Sequence, residues 1–236
     1  MQNVRGEGND APGSVADGVY AFMREQIVSG ALPAGSRVTE AWVTSETTAS
    51  RTPVREALRR LTAEGYLEFI AHRGARVASL GLGDRAEIFA LRLLLEPFAA
   101  GTAAKAATAV EHARLRELAT AMKELVASRP QAWSLTLTDL NREFHHAIFT
   151  ATGYARLRSM TDSLMLFGLQ SVTFSTYTDE ELGRSMYQHD ELVTAIGVRD
   201  EEWARAAMYG HIRAASHVAA RIVDHSNGPT ARKGQA

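Results

Sequence analysis

The chain has 236 residues, 45% hydrophobic and 22% charged, which suits one large or two modest globular domains with a real core. A formal net charge of -1 gives no overall basicity, so a nucleic-acid or membrane partner would have to be met by a local patch. The lack of cysteine excludes disulfides, thiolate metal sites and cysteine nucleophiles. The opening "MQNVRGEGNDAPGSVADG" holds no apolar core for a signal peptide, and no run approaches membrane-spanning length. The expectation is a cytoplasmic protein without membrane contact.

In chain order, residues 1–13 and 226–236 are polar, rich in small residues, and expected to be disordered tails. Between them lie two blocks, 14–80 and 84–225, with "SLGLGD" (79–84) as the linker. In the first block "VADGVYAFMREQIVSG" places Val15, Val19, Phe22, Met23 and Ile27 on one helical face and stops at Gly30. "ALPAGSRVTE" reads as a turn, followed by a short helix from about Glu40 and another that ends near Gly65. "YLEFIAHRGARVASL" shows two alternating runs joined across "AHRG", a hairpin signature. The second block is alanine-rich and helical almost throughout. About six segments are separated by short loops, which favours antiparallel packing in a bundle. Residues 15–80 carry eight Lys/Arg against seven Asp/Glu, and 81–225 fifteen against eighteen, a weak asymmetry.

The stretch "SRTPVREALRRL" (50–61) concentrates arginine in a nearly neutral chain. At 100° per residue Val54, Ala57, Leu58 and Leu61 gather on one face, while Arg51, Thr52, Arg55 and Arg59 form an adjacent stripe. Arg60 lies away from that stripe. Ser50 or Thr52 is positioned as N-cap, and Pro53 is tolerated only because it falls in the first turn. Phosphates are attracted by a helix N-terminus, and a guanidinium reads guanine's major-groove edge through two hydrogen bonds. The alternative is a solvated face with ion pairs to Glu46, Glu56 and Glu64. The order helix, short helix, arginine helix, hairpin is that of a winged helix-turn-helix, which favours the first reading.

Residues 19–77, with "VYAFMREQIVSGALPAGSRVTE" and the signature "SRTPVREALRRL…EG", resemble the N-terminal domain of the GntR family of bacterial transcription regulators. The resemblance implies double-stranded DNA as partner, with contacts from Ser50, Arg51, Thr52 and Arg55, joined by Arg59 on the same stripe. It places Arg73 and Gly74 at the tip of the wing. One departure stands out: Thr47 and Thr48 replace an apolar residue and a glycine in the turn before the arginine helix. That substitution removes the residue that most easily turns left-handed.

In the helical block, phase sorts the histidines. Asn141 and His145, at i and i+4, share one flank of the apolar stripe of "WSLTLTDLNREFHHAIFTATG", and His146 points to solvent. His189 falls amid Leu182, Met186, Val193 and Ile196; His211 lies with Ala204, Ala207, Ala215 and Val218, and His217 away from them. Each inward histidine alone reads as a hydrogen-bonded core residue. Three of them with an Asn/His pair also read as one shared site, whose nitrogen and oxygen donors suit a divalent Zn, Ni or Mn ion. Arg92, in "LRLLLEP", sits between Ile88, Leu95 and Ala99 on an apolar stripe and needs a partner. That partner is either an acid on a neighbouring helix or a bound carboxylate, which matches a guanidinium in a fork. Pro97 is expected to kink or interrupt the same helix.

The block resembles the effector-binding helical domain of the FadR subgroup, called FCD, mainly through these positions and "LRLLLEP". The resemblance implies a metal site from Asn141, His145, His189 and His211, with Arg92 facing the ligand cavity. Asparagine stands where the family usually has aspartate, which lowers the negative charge of the site. The expected whole is a mainly α protein, with an N-terminal winged helix-turn-helix and a C-terminal all-helical bundle. As a homodimer it would bind a pseudo-palindromic operator. A small carboxylate effector would modulate that binding at a metal-centred cavity and alter the placement of the two DNA-reading heads. The alternatives are a metalloenzyme with an appended DNA-binding domain and a regulator with a purely structural metal. No acid beside the histidines serves as an obvious general base, which weighs against catalysis.

Overall fold

The computed structural model describes residues 14–70, 74–78, 82–162, 164, 174 and 176–226. The expected tails before residue 14 and after 226, and the wing residue Arg73, fall outside the described residues. The chain divides into two compact units, residues 1–78 and 79–236.

In the first unit, α1 (Val15–Val28) begins with a capping box, in which Ser14 accepts from the Asp17 amide and Asp17 accepts in return. Its buried stripe holds Ala16, Val19, Tyr20, Met23, Arg24 and Ile27, whereas Val15 is 63% exposed. The stripe is turned from the apolar face read in the sequence because two polar side chains bury their stems and find partners. The Tyr20 hydroxyl donates to Glu64, and Arg24 Nε donates to the Tyr66 hydroxyl at 2.9 Å. α2 (Glu40–Thr47) and α3 (Arg51–Ala63) follow, and α3 buries Val54, Ala57 and Leu61 against α1. Full burial of each large apolar side chain contributes about 1.5–3 kcal/mol, which fixes the rotation of α3 and leaves its arginines outward.

Three short strands complete this unit: β1 (Arg37–Val38), β2 (Leu67–Ile70) and β3 (Gly74–Val77), in the order β1-β3-β2, all antiparallel. The hairpin β2–β3 occupies the two runs flanking "AHRG". β1 lies within the segment read as a turn; two residues are too few for an alternating pattern to show. Gly74 sits at φ +90°, and a Cβ there would lie 3.0 Å from the Val38 carbonyl oxygen, so the close approach of β1 to β3 requires glycine. A winged helix-turn-helix results.

The described part of the second unit contains α4 (Leu82–Ala106), α5 (Ala109–Ser128), α6 (Trp133–Ala151), α7 (Ala155–Asp162), α8 (Asp179–Gly197) and α9 (Glu201–Ser226). Helices α5 and α8 each open with a Thr–Glu capping box, Thr108 with Glu111 and Thr178 with Glu181, where the sequence places its breaks. α4 continues through Pro97. Proline removes one backbone hydrogen bond there, and the helix survives because it packs along its length against α9 and also on α6 and α8. The core is built of Ala99, Ala103, Leu115, Met122, Leu137, Phe144, Ile148, Leu192, Ala204 and Ile212, all fully buried. The many alanines let α4 and α9 approach closely. Within this apolar interior the three histidines and Asn141 are buried, as are Arg92 and Glu96.

Candidate nucleic-acid interface and metal centre

On α3 the sequence stripe is exposed as a set: Arg51, Thr52, Arg55 and Arg59 face solvent, and so does Arg60. Ser50 occupies the N-cap position but makes no side-chain capping hydrogen bond, so its hydroxyl is not spent within the helix. Arg55 Nε contacts Glu40 Oε1 of α2 at 2.7 Å. The Glu40 carboxyl is held below the usual carboxylate range by that hydrogen bond first, then by the charges of Arg55, Arg51 and Arg59, with slight burial opposing. Three guanidinium groups therefore converge on the start of α2, a feature the phase analysis of α3 alone did not reveal. The wing contributes Gly74 at its described edge, and Arg76 of β3 pairs with Glu68 of β2. A cavity of about 440 Å3 lies between α3 and the wing, lined by Arg55, Leu58, Arg59, Phe69 and Gly74.

The turn into α3 carries the departure noted above. Thr48, the C-cap of α2, adopts φ 55° and ψ 11°, the left-handed region, while the Thr47 hydroxyl donates to the Val43 carbonyl at 2.7 Å. A β-branched residue is strained there, because its side chain crowds the backbone that glycine leaves open.

In the second unit three helices bring the inward histidines together. His145 on α6, His189 on α8 and His211 on α9 are all buried, and one ring nitrogen of each lies within 4.8 Å of the others. Their ring centroids are 5.3 Å apart for His145 and His211, 4.6 Å for His189 and His211, and 6.1 Å for His145 and His189. Phe144 packs edge-on to His189 at 4.8 Å, walling one side of the cluster. His146 and His217 are exposed.

Burial, and then the neighbouring His211 and His145, push His189 well below its ordinary value; burial first and His145 second push His211 down to about 3. Both imidazoles are therefore neutral near pH 7, with a lone pair free to bind. Asn141 is 4% exposed, and its Oδ1, His145 Nε2 and both ring nitrogens of His189 are buried without a hydrogen-bond partner. Buried polar atoms are normally satisfied, so the three unpartnered ring nitrogens of the cluster, with Asn141 one helical turn before His145, mark a place where a ligand would fit. One carbonyl oxygen and three imidazoles fit a borderline divalent cation, whereas a hard ion prefers carboxylates.

Outside this donor set lies a carboxylate that the sequence reading passed over. Glu96 of α4 is 1% exposed; its Oε2 lies 2.7 Å from His145 Nδ1, and its Oε1 accepts from Arg92 Nε at 2.5 Å. Burial opposes ionisation of Glu96, but Arg92 and then His145 outweigh it and draw the carboxyl down to about 2. With Nδ1 directed at the carboxylate, His145 turns Nε2 to the cluster, as metal-binding histidines commonly do. Arg92, 5% exposed, thus has an acid as partner, one turn along its own helix rather than on a neighbouring one. The i, i+4 spacing within "LRLLLEP" was the available signal. Gln188 plays a lesser role at His211, with Oε1 3.4 Å from Nδ1.

Two family models match the chain: "Bacterial regulatory proteins, gntR family" over residues 15–77 and "FCD domain" over residues 87–214. Among curated proteins, it is 31% identical over 218 residues to a probable D-xylose utilization operon transcriptional repressor of Paenarthrobacter nicotinovorans, covering 91% of each chain. It is 28% identical over 180 residues to the Nta operon transcriptional regulator of Aminobacter aminovorans, covering 76% of this chain and 82% of that one. Among solved structures, McbR/YncC of Escherichia coli superposes with a TM-score of 0.68 at 23% identity, covering 91% of this chain and 99% of the other, a likeness of fold.

Proposed function

The chain belongs to the gntR family of bacterial transcription regulators and carries an FCD domain, and from that premise we propose that it binds an operator as a homodimer and releases it in response to a small carboxylate held at a metal-centred site. Arg51, Arg55 and Arg59, with Ser50 and Thr52, would meet the DNA, Arg55 and its neighbours at base edges and the N-terminus of α3 at phosphate. Arg73 and Gly74 would add the wing contact. Two-fold symmetry of a pseudo-palindromic operator calls for a symmetric dimer.

The metal reading rests on the orphaned Asn141 Oδ1, His145 Nε2 and His189 nitrogens beside His211. These four residues would hold the ion, with Zn, Ni or Mn as the candidate set. A bound divalent cation would supply Lewis acidity toward a carboxylate oxygen.

One observation carries the effector reading. The donor set contains no carboxylate, and the buried Arg92 and Glu96 are paired with each other, so the four residues bring no negative charge of their own to offset a dication. An uncompensated buried charge costs several kcal/mol, and an anion removes that cost. Arg92 would share the carboxylate with Glu96 as the guanidinium partner. The two relatives regulate operons, one named for D-xylose utilization, which makes a carbon-source operon the first to test. The test is a thermal-shift screen of organic acids with and without chelator, followed by operator displacement with each hit. Displacement that survives complete metal removal would contradict a metal-dependent effector site.

A further inference from the structure

Side chains alternate between the two faces of a strand, so Leu67 and Phe69 of β2 share the face that packs toward α3. Their partners across the ladder are Val77 and Ala75 of β3. Leu67, Val77 and Ala75 are 2%, 3% and 6% exposed, yet Phe69 on the same face is 74% exposed. A phenyl ring on the inner face of a sheet ordinarily buries its large apolar surface in a core. Here it lines the cavity of about 440 Å3 between α3 and the wing, together with Leu58, Ala75, Arg55 and Arg59. Glu40 is the one acid in the described lining, and Arg55 engages it at 2.7 Å. Two guanidinium groups against one carboxylate leave the cavity net positive beside an uncovered aromatic ring.

The position of this cavity decides what fills it. With the first turns of α3 in the major groove and the wing tip alongside, the element that separates the two is the ridge between neighbouring grooves. That ridge is one sugar-phosphate strand, so a strand of the duplex passes between α3 and the wing. Along it anionic phosphates alternate with deoxyribose rings whose C–H faces are apolar. The cavity offers the matching pair of surfaces, guanidinium groups from α3 and a phenyl ring from β2.

Resting on the reading of α3 as the major-groove helix, we infer that the cavity between α3 and the wing seats one strand of the operator backbone and that Phe69 packs its ring on a deoxyribose there. Arg59, one turn further from the N-terminus of α3 than Arg55, meets the adjacent phosphate. Every nucleotide presents the same sugar, so Phe69 adds affinity without sequence preference. Its contact is apolar and releases no counterions, so it leaves the salt dependence of binding unchanged, whereas Arg59 contributes to that dependence. Covering most of an exposed phenyl ring strengthens binding by about tenfold for each DNA-reading head. Phe69 is thus a DNA-binding residue outside the arginine stripe, on a strand of the wing rather than at its tip.

The test uses the full chain with two labelled duplexes, an operator recovered by selection from random sequences and a duplex of unrelated sequence. Phe69→Thr removes the ring and keeps a residue that suits a strand, and Phe69→Trp keeps a flat aromatic. Phe69→Thr is expected to weaken both duplexes by the same factor, about tenfold or more, with the slope of affinity against salt unchanged. Arg59→Ala is expected to lower that slope by about 1. Hydroxyl-radical cleavage, which attacks deoxyribose, is expected to show protected sugars beside the bases read by α3 in the parent and in Phe69→Trp, and to lose that protection in Phe69→Thr. The melting temperature of Phe69→Thr is expected to stay near the parent's, because the ring is largely exposed in the free protein. A purely structural phenylalanine would lower the melting temperature and leave the sugar protection in place. Unchanged affinity in Phe69→Thr, or a loss confined to the operator with a changed selected sequence, would overturn the assignment, the latter by making Phe69 a reader of bases. Full operator binding by Arg55→Ala would remove the parent reading and this contact with it. Loss in Arg55→Ala without loss in Phe69→Thr keeps α3 in the groove and removes the contact of Phe69 alone.

Discussion

Glu96 meets Arg92 through one carboxylate oxygen and His145 through the other, so a single side chain couples the two features that helical phase picked out separately. Changing Glu96 to Gln keeps the shape and removes the charge that orients His145. Metal affinity is expected to fall by about 10–100-fold, read by competition with a chromophoric chelator, and unchanged affinity would make Glu96 a partner of Arg92 alone. His189→Ala combined with His211→Ala is expected to abolish bound metal, checked by elemental analysis of purified protein; full metal content would refute the site. On α3, Arg55→Ala is expected to cost about 1–3 kcal/mol in operator binding at unchanged melting temperature, checked by fluorescence anisotropy. The inward turn of Asn141, His145, His189 and His211 was legible because residue phase on a regular helix follows directly from spacing. Neither Glu40 beside Arg55 nor Gln188 beside His211 was legible, since each contact joins two helices whose relative placement no local pattern records.

Among the elements, α2 and its turn hold the clearest conflict between sequence and backbone. The missing glycine was visible in "SETTAS", and Thr48 does take the left-handed conformation that glycine would have taken without strain. Thr48→Gly is therefore expected to stabilise the protein by about 0.5–1 kcal/mol, since relief of strain exceeds the added flexibility of the unfolded chain. Chemical denaturation would measure it, and destabilisation would mean that the Thr48 side chain supports the turn through contacts worth more than the strain. β1 escaped detection because two residues show no period, and its position depends on Gly74, far along the chain. Pro97 illustrates the opposite error, a local breaker outweighed by tertiary packing. With α9 along its flank, α4 remains one uninterrupted helix past a proline that would end an isolated helix. The apolar face of α1 was misjudged at Val15 because Tyr20 and Arg24, polar by composition, bury their stems and satisfy their heads.

At the scale of the whole molecule, the family membership joins a DNA-reading head to a helical unit with a buried donor cluster. Any coupling between them is reciprocal: a carboxylate that weakens operator binding by a given factor must itself bind the operator complex more weakly by the same factor. The most direct measurement is anisotropy of a labelled operator, recovered by selection from random duplexes, titrated with the best-binding organic acid from the thermal-shift screen. It is run on metal-loaded protein, on chelator-stripped protein and on the His189→Ala, His211→Ala double variant. Acid-driven release from the metal-loaded protein, absent from the other two samples while all three bind operator beforehand, is the predicted result. Equal release from all three would contradict a metal-centred effector site.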